Sequence, residues 1–287
     1  MQQHKGVYLK TFQKSELQYL EIENEFCQAY ISLHGAQVLQ FKNKKHHKEL
    51  LWLSDLAKFE TGKAIRGGIP LCFPWFGGHP TDQNQPAHGF ARNSLWQLKD
   101  ISEDAAGHHV VLELTDSEAT RKYWNYAFKL NMLIHCGEQL QLEFKLSNLD
   151  TQAFEFTFAW HSYFPVIAQQ ARVLGLHNTD YIDQLDGNRV KKQTEQAIEF
   201  TAETDRIYVQ TSGQFVIQQQ AEDHIYIQSS AKSAVVWNPW IEKAERLADV
   251  ANDAWQDFIC VETGQIASEQ IRVEAGESVA YYLNISV

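Results

Sequence analysis

The sequence predicts an all-β protein, a large antiparallel β-sandwich with a few short helices, in which residues 1–287 form a single domain. Three observations favour this class. Many short runs alternate apolar and polar side chains, which is the two-residue period of a half-buried strand. Long helical patterns are missing. Residues 117–123 and 241–250 favour short helices, and residues 252–255 favour one further turn. No repeat or linker divides the chain, and β-sandwiches of this length often form one unit.

Predicted strands run along the whole chain. The clearest pattern extends from Leu140 to Leu146, where every second residue is apolar and the residues between are polar or charged, as in a strand with one face in water. A turn at residues 136–139 joins it to the preceding strand. In chain order the predicted strands are 17–23, 27–31, 38–41, 110–114, 128–134, 140–146, 206–210, 215–219, 225–228, 234–237, 258–262 and 278–285.

An aromatic strand at residues 154–160 leads to the most informative residue, His161. Aromatic side chains occupy its alternate positions from Phe154 to Trp160, so they face one side of the strand. His161 follows directly after this strand and precedes Pro165 by four residues. Histidine has an unperturbed pKa close to neutrality, so it can donate or accept a proton at working pH. Taken alone, it can equally be a structural histidine at a strand end.

Composition restricts the classes of partner. The formal net charge is −11, so neither nucleic acid nor an anionic membrane surface attracts this chain. No apolar run approaches the ~20 residues of a membrane span, and no apolar signal core follows the N-terminus. The cysteines at 27, 72, 136 and 260 form no CxxC pair. We therefore expect reduced thiols, a cytoplasmic protein and no obligate protein partner.

Residues 66–78 are irregular and contain 4 of the 15 glycines and 2 of the 6 prolines. Arg66 stands beside two glycines, which allow close backbone approach. Phe73 and Trp75 follow, and aromatic faces suit the apolar C–H faces of a sugar ring. The alternative is an ordinary loop in which Arg66 forms a surface ion pair.

Residues 86–92 place His88 and Arg92 in a second glycine-containing loop. Two arginines in two loops of an acidic protein can clamp a phosphate, because each guanidinium can meet two oxygens. A simple ion pair between Arg92 and one of the 36 acidic residues is the alternative.

Glu262 ends the apolar strand 258–262, where partial burial would raise its pKa and make it a competent base. A solvent-exposed carboxylate is the alternative. Trp237 and Trp240 either line a sugar site or fill the sandwich. Phosphate-loop, dinucleotide-binding, nucleophile-elbow and HExxH motifs are all absent from the sequence, so we expect no cofactor and no metal.

Together these segments resemble the aldose 1-epimerases, or galactose mutarotase-like proteins, and among them most closely the glucose-6-phosphate 1-epimerases. The resemblance spans about residues 17–285, and its motifs occur in the family's order at 66–77, 88–92, 160–164, 204–208, 237–240 and 260–262. It implies the large β-sandwich, called a supersandwich, of that family.

The resemblance also implies roles for individual residues. His161 matches the family's acid, Glu262 its base, and Arg66, Arg92 and Asp205 its substrate-binding residues. The phosphate branch often has Gln where this chain has Ala87, so one substrate hydrogen bond is expected to be lost or replaced.

The expected reaction interconverts the α and β anomers of a hexose 6-phosphate. We expect Glu262 and His161 on different sides of one pyranose, with His88 binding or orienting the substrate. Two alternatives remain: a non-catalytic carbohydrate-binding module of the same fold, and an epimerase for free sugars. A binding module needs no titratable acid and base, whereas a neutral sugar gives the two arginines no charge to neutralise.

Overall fold

Strands provide most of the regular structure in the computed structural model, which describes residues 4–220 and 223–287. The strands are β1 (Val7–Thr11), β2 (Gln18–Glu23), β3 (Cys27–Ser32), β4 (Gln37–Asn43), β5 (Lys48–Glu49), β6 (Leu71–Cys72), β7 (Gln97–Asp104), β8 (Gly107–Thr115), β9 (Phe128–Cys136), β10 (Leu140–Asn148), β11 (Phe154–Phe156), β12 (Phe158–Trp160), β13 (Tyr163–Pro165), β14 (Arg172–Leu174), β15 (Asp180–Asp183), β16 (Arg189–Lys192), β17 (Ala197–Glu199), β18 (Thr204–Tyr208), β19 (Gln214–Gln220), β20 (Asp223–Ser229), β21 (Ser233–Asn238), β22 (Phe258–Gln265), β23 (Ile271–Val273) and β24 (Ser278–Ser286). The helices are α1 (Glu118–Arg121) and α2 (Trp240–Ala244), with short 3₁₀ turns at 91–93, 168–170, 254–256 and 267–269.

Two large antiparallel sheets dominate the fold. One has nine strands in the order β17-β14-β19-β20-β24-β10-β9-β8-β7, and the other has eight in the order β16-β15-β18-β21-β22-β12-β6 with β13 pairing β22. An N-terminal five-stranded sheet, β1 to β5, and the pair β11-β23 complete it. Buried side chains from both large sheets belong to one hydrophobic cluster, as in a sandwich. The predicted all-β antiparallel class is confirmed.

The alternation of apolar and polar residues explains why the nine-stranded sheet has one buried face. Burial alternates along β9 and β10. Across this hairpin, Leu142 of β10 lies opposite Ile134 of β9, and Phe144 of β10 lies opposite Met132 of β9. The core face is therefore apolar and the other face is partly wet. In contrast, every residue of β22 is buried, since neighbouring elements cover both faces of that strand. A charged residue in β22 is consequently largely shielded from bulk water.

The structure corrects several sequence predictions. The helix expected at 241–250 ends at Ala244, after which turns with i to i−3 bonds replace helical ones. The helix expected at 117–123 is one turn capped by the Ser117 side chain. The aromatic strand divides at Thr157 into β11 and β12. Strands β1 and β7 were not predicted, because their residues are mostly exposed and do not alternate.

Within residues 4–220 and 223–287, no helix is long and apolar enough to cross a membrane. The expectation that no signal sequence begins the chain falls partly on residues 1–3, which lie outside the described residues.

Candidate active site

A pocket of about 360 Å³ opens against the eight-stranded sheet. Its volume falls in the range of about 300–1,000 Å³ that is typical of small-molecule sites. It brings together loops and strand positions that are far apart in the chain. The pocket is lined by Arg66, Phe76, Gly77, His88, Arg92, His161, Gln184, Asp205, Val235, Trp237, Lys243, Leu247 and Glu262.

Strand pairing places His161 opposite Glu262. Both β12 and β13 pair with β22, with Trp160 opposite Thr263 and Tyr163 opposite Cys260. His161 lies in the gap between these two strands, and its backbone N–H donates to the Pro70 carbonyl at 2.9 Å. As a result, Nδ1 of His161 lies 3.4 Å from Oε1 of Glu262.

This geometry corrects two expectations. Glu262 lies inside β22 rather than at a strand end, because the strand continues to Gln265. The two side chains are neighbours rather than groups on opposite sides of a sugar. The imidazole is also held flat against the ring of Tyr163, with centroids 4.8 Å apart and planes 3° apart.

Burial shifts the pKa of each member of the pair toward its neutral form. The exposed fraction is 6% for His161 and 2% for Glu262. Desolvation, with a smaller contribution from Asp205, raises the pKa of Glu262 well above its ordinary value. Desolvation, followed by His88, Arg92 and Arg66, lowers the pKa of His161 well below its ordinary value. Burial therefore favours the uncharged form of both Glu262 and His161.

His88 is held in a single tautomer. Its backbone has a φ of 65° and its N–H donates to the Gly77 carbonyl at 2.6 Å. The Gly77 N–H in turn donates to Nδ1 of His88 at 3.2 Å. Desolvation, followed by Arg92 and Arg66, lowers the pKa of His88 to about 3, so the ring is neutral. Since Nδ1 accepts, the ring hydrogen is on Nε2, which makes His88 a hydrogen-bond donor.

The two arginines differ in their partners. Nη1 of Arg66 donates to the Tyr163 hydroxyl at 2.9 Å, and Nη2 lies 3.2 Å from Oδ1 of Asp249. Arg66 is thus in an ion pair, as one alternative anticipated, yet it still lines the pocket. Arg92 donates to the carbonyl of Ala87 at 3.0 Å and has no carboxylate partner among the described residues. Its positive charge is available to a ligand.

Asp205 is the centre of a further group of polar side chains that line the pocket. It accepts from Nε2 of Gln184 at 2.6 Å and from Nζ of Lys243 at 3.3 Å. Lys243 also lies 3.0 Å from a carboxylate oxygen of Glu203. Desolvation raises the pKa of Asp205. Sequence reasoning missed Gln184 and Lys243 because neither stands in a recognisable motif.

The structure does not bring Phe73, Trp75 or Trp240 to the pocket. Phe73 is fully buried in the core, where its ring packs edge-on against Phe156. Trp75 is also buried and donates its indole N–H to the Pro86 carbonyl. Trp240 packs on Trp255 with ring centroids 4.2 Å apart.

Other aromatic side chains take the place of these three. Phe76 and Trp237 line the pocket. Phe76 lies in the predicted loop 66–78 and Trp237 in the segment 237–240. The sequence therefore predicted which segments carry the aromatic lining, but not which of their residues form it.

Comparison with known proteins assigns the chain to a family. The profile described as "Aldose 1-epimerase" matches residues 18–286. The chain is 35% identical over 259 residues, covering 89% of it and 85% of the relative, to an Escherichia coli (strain K12) protein named "Putative glucose-6-phosphate 1-epimerase". A relative of the same name from Salmonella typhimurium is 34% identical over 266 residues, covering 91% of this chain and 88% of the relative.

Solved structures show the same fold. A crystal structure titled as a "putative mutarotase" from Salmonella typhimurium superposes with a TM-score of 0.91 at 31% identity, covering 99% of this chain and 94% of that one. A galactose mutarotase related enzyme from Lactobacillus acidophilus has a TM-score of 0.75 at 15% identity, covering 93% and 96% of the two chains. The second likeness concerns the fold alone.

Proposed function

The chain belongs to the aldose 1-epimerase family, and on that premise we propose that it is a glucose-6-phosphate 1-epimerase, which interconverts the α and β anomers of its substrate. One observation carries the proposal. A buried carboxyl group and a buried imidazole lie 3.4 Å apart in a pocket that also contains Arg92, a cation with no carboxylate partner among the described residues.

The reaction needs two proton transfers, at two oxygens that are bonded to the same carbon. A base removes the proton of the C1 hydroxyl while an acid protonates the ring oxygen, and the bond between C1 and the ring oxygen breaks. The aldehyde turns about the C1–C2 bond, and the reverse transfers close the ring. Both oxygens are bonded to C1, so neighbouring groups suit this chemistry. We assign the base to Glu262 and the acid to His161.

In the neutral form that burial favours, the pair carries the single proton that this exchange requires. Moving that proton from Glu262 to His161 produces the carboxylate base and the imidazolium acid without any proton from solvent. Nδ1 of His161 faces Glu262, which leaves Nε2 to address the ring oxygen. The charge of Arg92 lowers the pKa of Glu262 and so stabilises the carboxylate, and it also lowers the pKa of His161, which keeps the imidazolium a strong acid.

Arg92 supports the phosphate part of the proposal. A phosphate monoester carries about −1.5 to −2 charges at neutral pH, and the net charge of −11 repels it. A local cation must offset that repulsion, and Arg92 is the cation in the pocket without a carboxylate partner among the described residues. Arg66 and Lys243 are held by carboxylates, which suits them to binding sugar hydroxyls through their remaining hydrogens.

Two alternatives are less well supported. A carbohydrate-binding module has no need of a buried acid–base pair, which is costly to maintain. An epimerase of free sugars binds a neutral substrate, which would give the positive charge of Arg92 nothing to neutralise. Both remain outcomes of the experiment below.

The test is anomer-exchange NMR with glucose 6-phosphate and glucose in parallel samples. We expect exchange of the phosphorylated sugar well above the spontaneous rate, and much less acceleration for glucose. Similar acceleration of the two sugars would favour a general aldose 1-epimerase. No acceleration of either, together with binding, would favour a binding module.

A further inference from the structure

A third polar side chain lies beside the acid–base pair and takes no part in the proposed epimerase chemistry. Cys260 precedes Glu262 by two residues in β22, so the two side chains point to the same face of the strand. One ligand atom from each of Cys260, His161 and Glu262 lies within 4.8 Å of the other two, and all three residues are buried.

The donor set matches a metal rather than a sugar. Imidazole nitrogen, thiolate sulfur and carboxylate oxygen are the ligand types that bind Zn²⁺ in proteins. Three protein ligands with one open position form a reactive type of zinc site, whereas structural sites are closed by four. His161 and Glu262 line the pocket and Cys260 does not. An ion held among them would have protein on one side and its open position toward the pocket.

The cluster contains polar atoms that need a partner. Within the described residues, Oε2 of Glu262 is buried and takes part in no hydrogen bond. Nδ1 of His161 is also buried without a hydrogen bond, and its contact with Oε1 of Glu262 at 3.4 Å is longer than an ordinary one. Buried polar atoms are rarely left unsatisfied, and an ion is one of the explanations for such atoms. Burial also raises the pKa of the Cys260 thiol, so the sulfur stays protonated until a cation replaces its proton.

We infer that Cys260, His161 and Glu262 form an inhibitory Zn²⁺ site in the substrate-free protein. Zn²⁺ takes the lone pair of Nδ1, a carboxylate oxygen and the thiolate sulfur, and the protons of the thiol and the carboxyl group pass to water. No oxidation or reduction is involved. The bound ion occupies the base, so zinc and the reacting end of the sugar exclude each other.

A second cluster of metal-binding side chains provides a control. Asp104, His109 and His135 also bring ligand atoms within 4.8 Å of one another. They lie on the face of the nine-stranded sheet that points away from the core, and the two imidazoles stack with centroids 4.4 Å apart. An ion bound there is remote from the pocket and leaves catalysis unchanged.

The first measurement is anomer exchange of glucose 6-phosphate at buffered free Zn²⁺ concentrations, with the wild type, Cys260→Ala, Cys27→Ala and His135→Ala. We expect Cys260→Ala to keep wild-type turnover without zinc. Its half-inhibiting Zn²⁺ concentration should rise at least about tenfold, since loss of even an outer-shell partner costs 10–100-fold in metal affinity. Cys27→Ala, which removes another buried thiol, and His135→Ala should retain wild-type sensitivity. Equal inhibition of wild type and Cys260→Ala would overturn the inference.

The second measurement does not depend on catalysis. Cd²⁺ titration followed by the ultraviolet thiolate-to-metal absorption should show one thiolate-bound ion in the wild type and in Cys27→Ala. The band should be absent in Cys260→Ala and Cys260→Ser, and glucose 6-phosphate should suppress it in the wild type. A wild type without the band refutes the site. The inhibitory effect rests on the proposed function, whereas the band does not, so a protein that binds Cd²⁺ through Cys260 but lacks epimerase activity refutes only the function.

Discussion

Nδ1 of His161 lies 3.4 Å from Oε1 of Glu262. The two side chains are close because His161 lies between β12 and β13, and both of these strands pair with β22. The two residues are about a hundred positions apart in the chain, yet strand pairing on either side of the gap determines their separation. Both are buried, and each has its pKa moved toward the neutral form. Burial therefore favours the uncharged carboxyl group beside the uncharged imidazole.

Removal of either member should abolish most of the catalysis. Each proton-transfer group contributes about 10²–10⁴ in rate, so Glu262→Gln and His161→Ala should each lower kcat by at least the smaller of these factors. Glutamine preserves the size of the side chain and removes an ionisable group. The measurement is anomer exchange, with circular dichroism to establish that the fold persists. A folded Glu262→Gln protein with most of the wild-type rate would exclude Glu262 as the base.

The pH profile of kcat/KM, which reports the groups of the free enzyme, should be a plateau with two limbs. On the acid side the pair gains a second proton at His161, whose pKa lies well below its ordinary 6.5, so the rate should fall only below that pH. On the alkaline side the pair loses its proton, and the raised pKa of Glu262 places that limb well above 4.5. Residual activity on glucose provides a control, because the phosphate itself titrates near about pH 6. An acid limb centred above 6.5 with both substrates would contradict the neutral pair.

Arg92 should act on the phosphate and Arg66 on the sugar. A charged hydrogen bond to phosphate contributes about 1.5–3 kcal/mol, or roughly ten- to a hundredfold in affinity. Arg92→Ala should lower kcat/KM for glucose 6-phosphate by that factor and leave residual glucose turnover almost unchanged. Arg66→Ala should reduce both, since it also breaks contacts with Tyr163 and Asp249.

The exposed Arg172, paired with Glu199, is the charge control for this comparison. Arg172→Ala removes one positive charge far from the pocket and should have little effect on either substrate. Equal losses for the two sugars in Arg92→Ala would assign that residue to the ring or to the fold.

Chelation should not remove activity. The proposed mechanism transfers protons between side chains and substrate, and zinc is expected only to inhibit. Dialysis against EDTA should therefore leave the rate unchanged, or raise it if the purified protein carries zinc. Loss of activity on chelation, with recovery on adding one divalent metal, would refute a mechanism based on proton transfer alone.

Phe73 should behave as a core residue. Truncation of a buried phenylalanine typically costs about 3–5 kcal/mol, so Phe73→Ala should lower the free energy of unfolding by that amount in denaturant titration. The milder Phe73→Leu should remain folded, with KM for glucose 6-phosphate close to that of the wild type. A large rise in KM without loss of stability would place the ring in contact with substrate instead.

Local sequence patterns are sufficient to predict the class of fold and the chemical identity of the main site residues. Alternation from Leu140 to Leu146 predicts a strand with one buried face, and the structure has that strand. A histidine after an aromatic strand and a glutamate at the end of an apolar one point to acid–base chemistry, because such residues are costly to bury without a use. Weakly alternating strands such as β7 could not be predicted, since almost no buried face marks them.

Which side chains share the pocket depends on tertiary packing and cannot be read from local sequence. Phe73 and Phe76 belong to one aromatic loop, yet the first is in the core and the second lines the site. Lys243 and Asp205 meet although nothing in their local sequences links them. Side-chain direction depends on strand register and loop path, which arise from long-range pairing. Local sequence determines periodicity and residue type, whereas packing determines the distance between residues far apart in the chain.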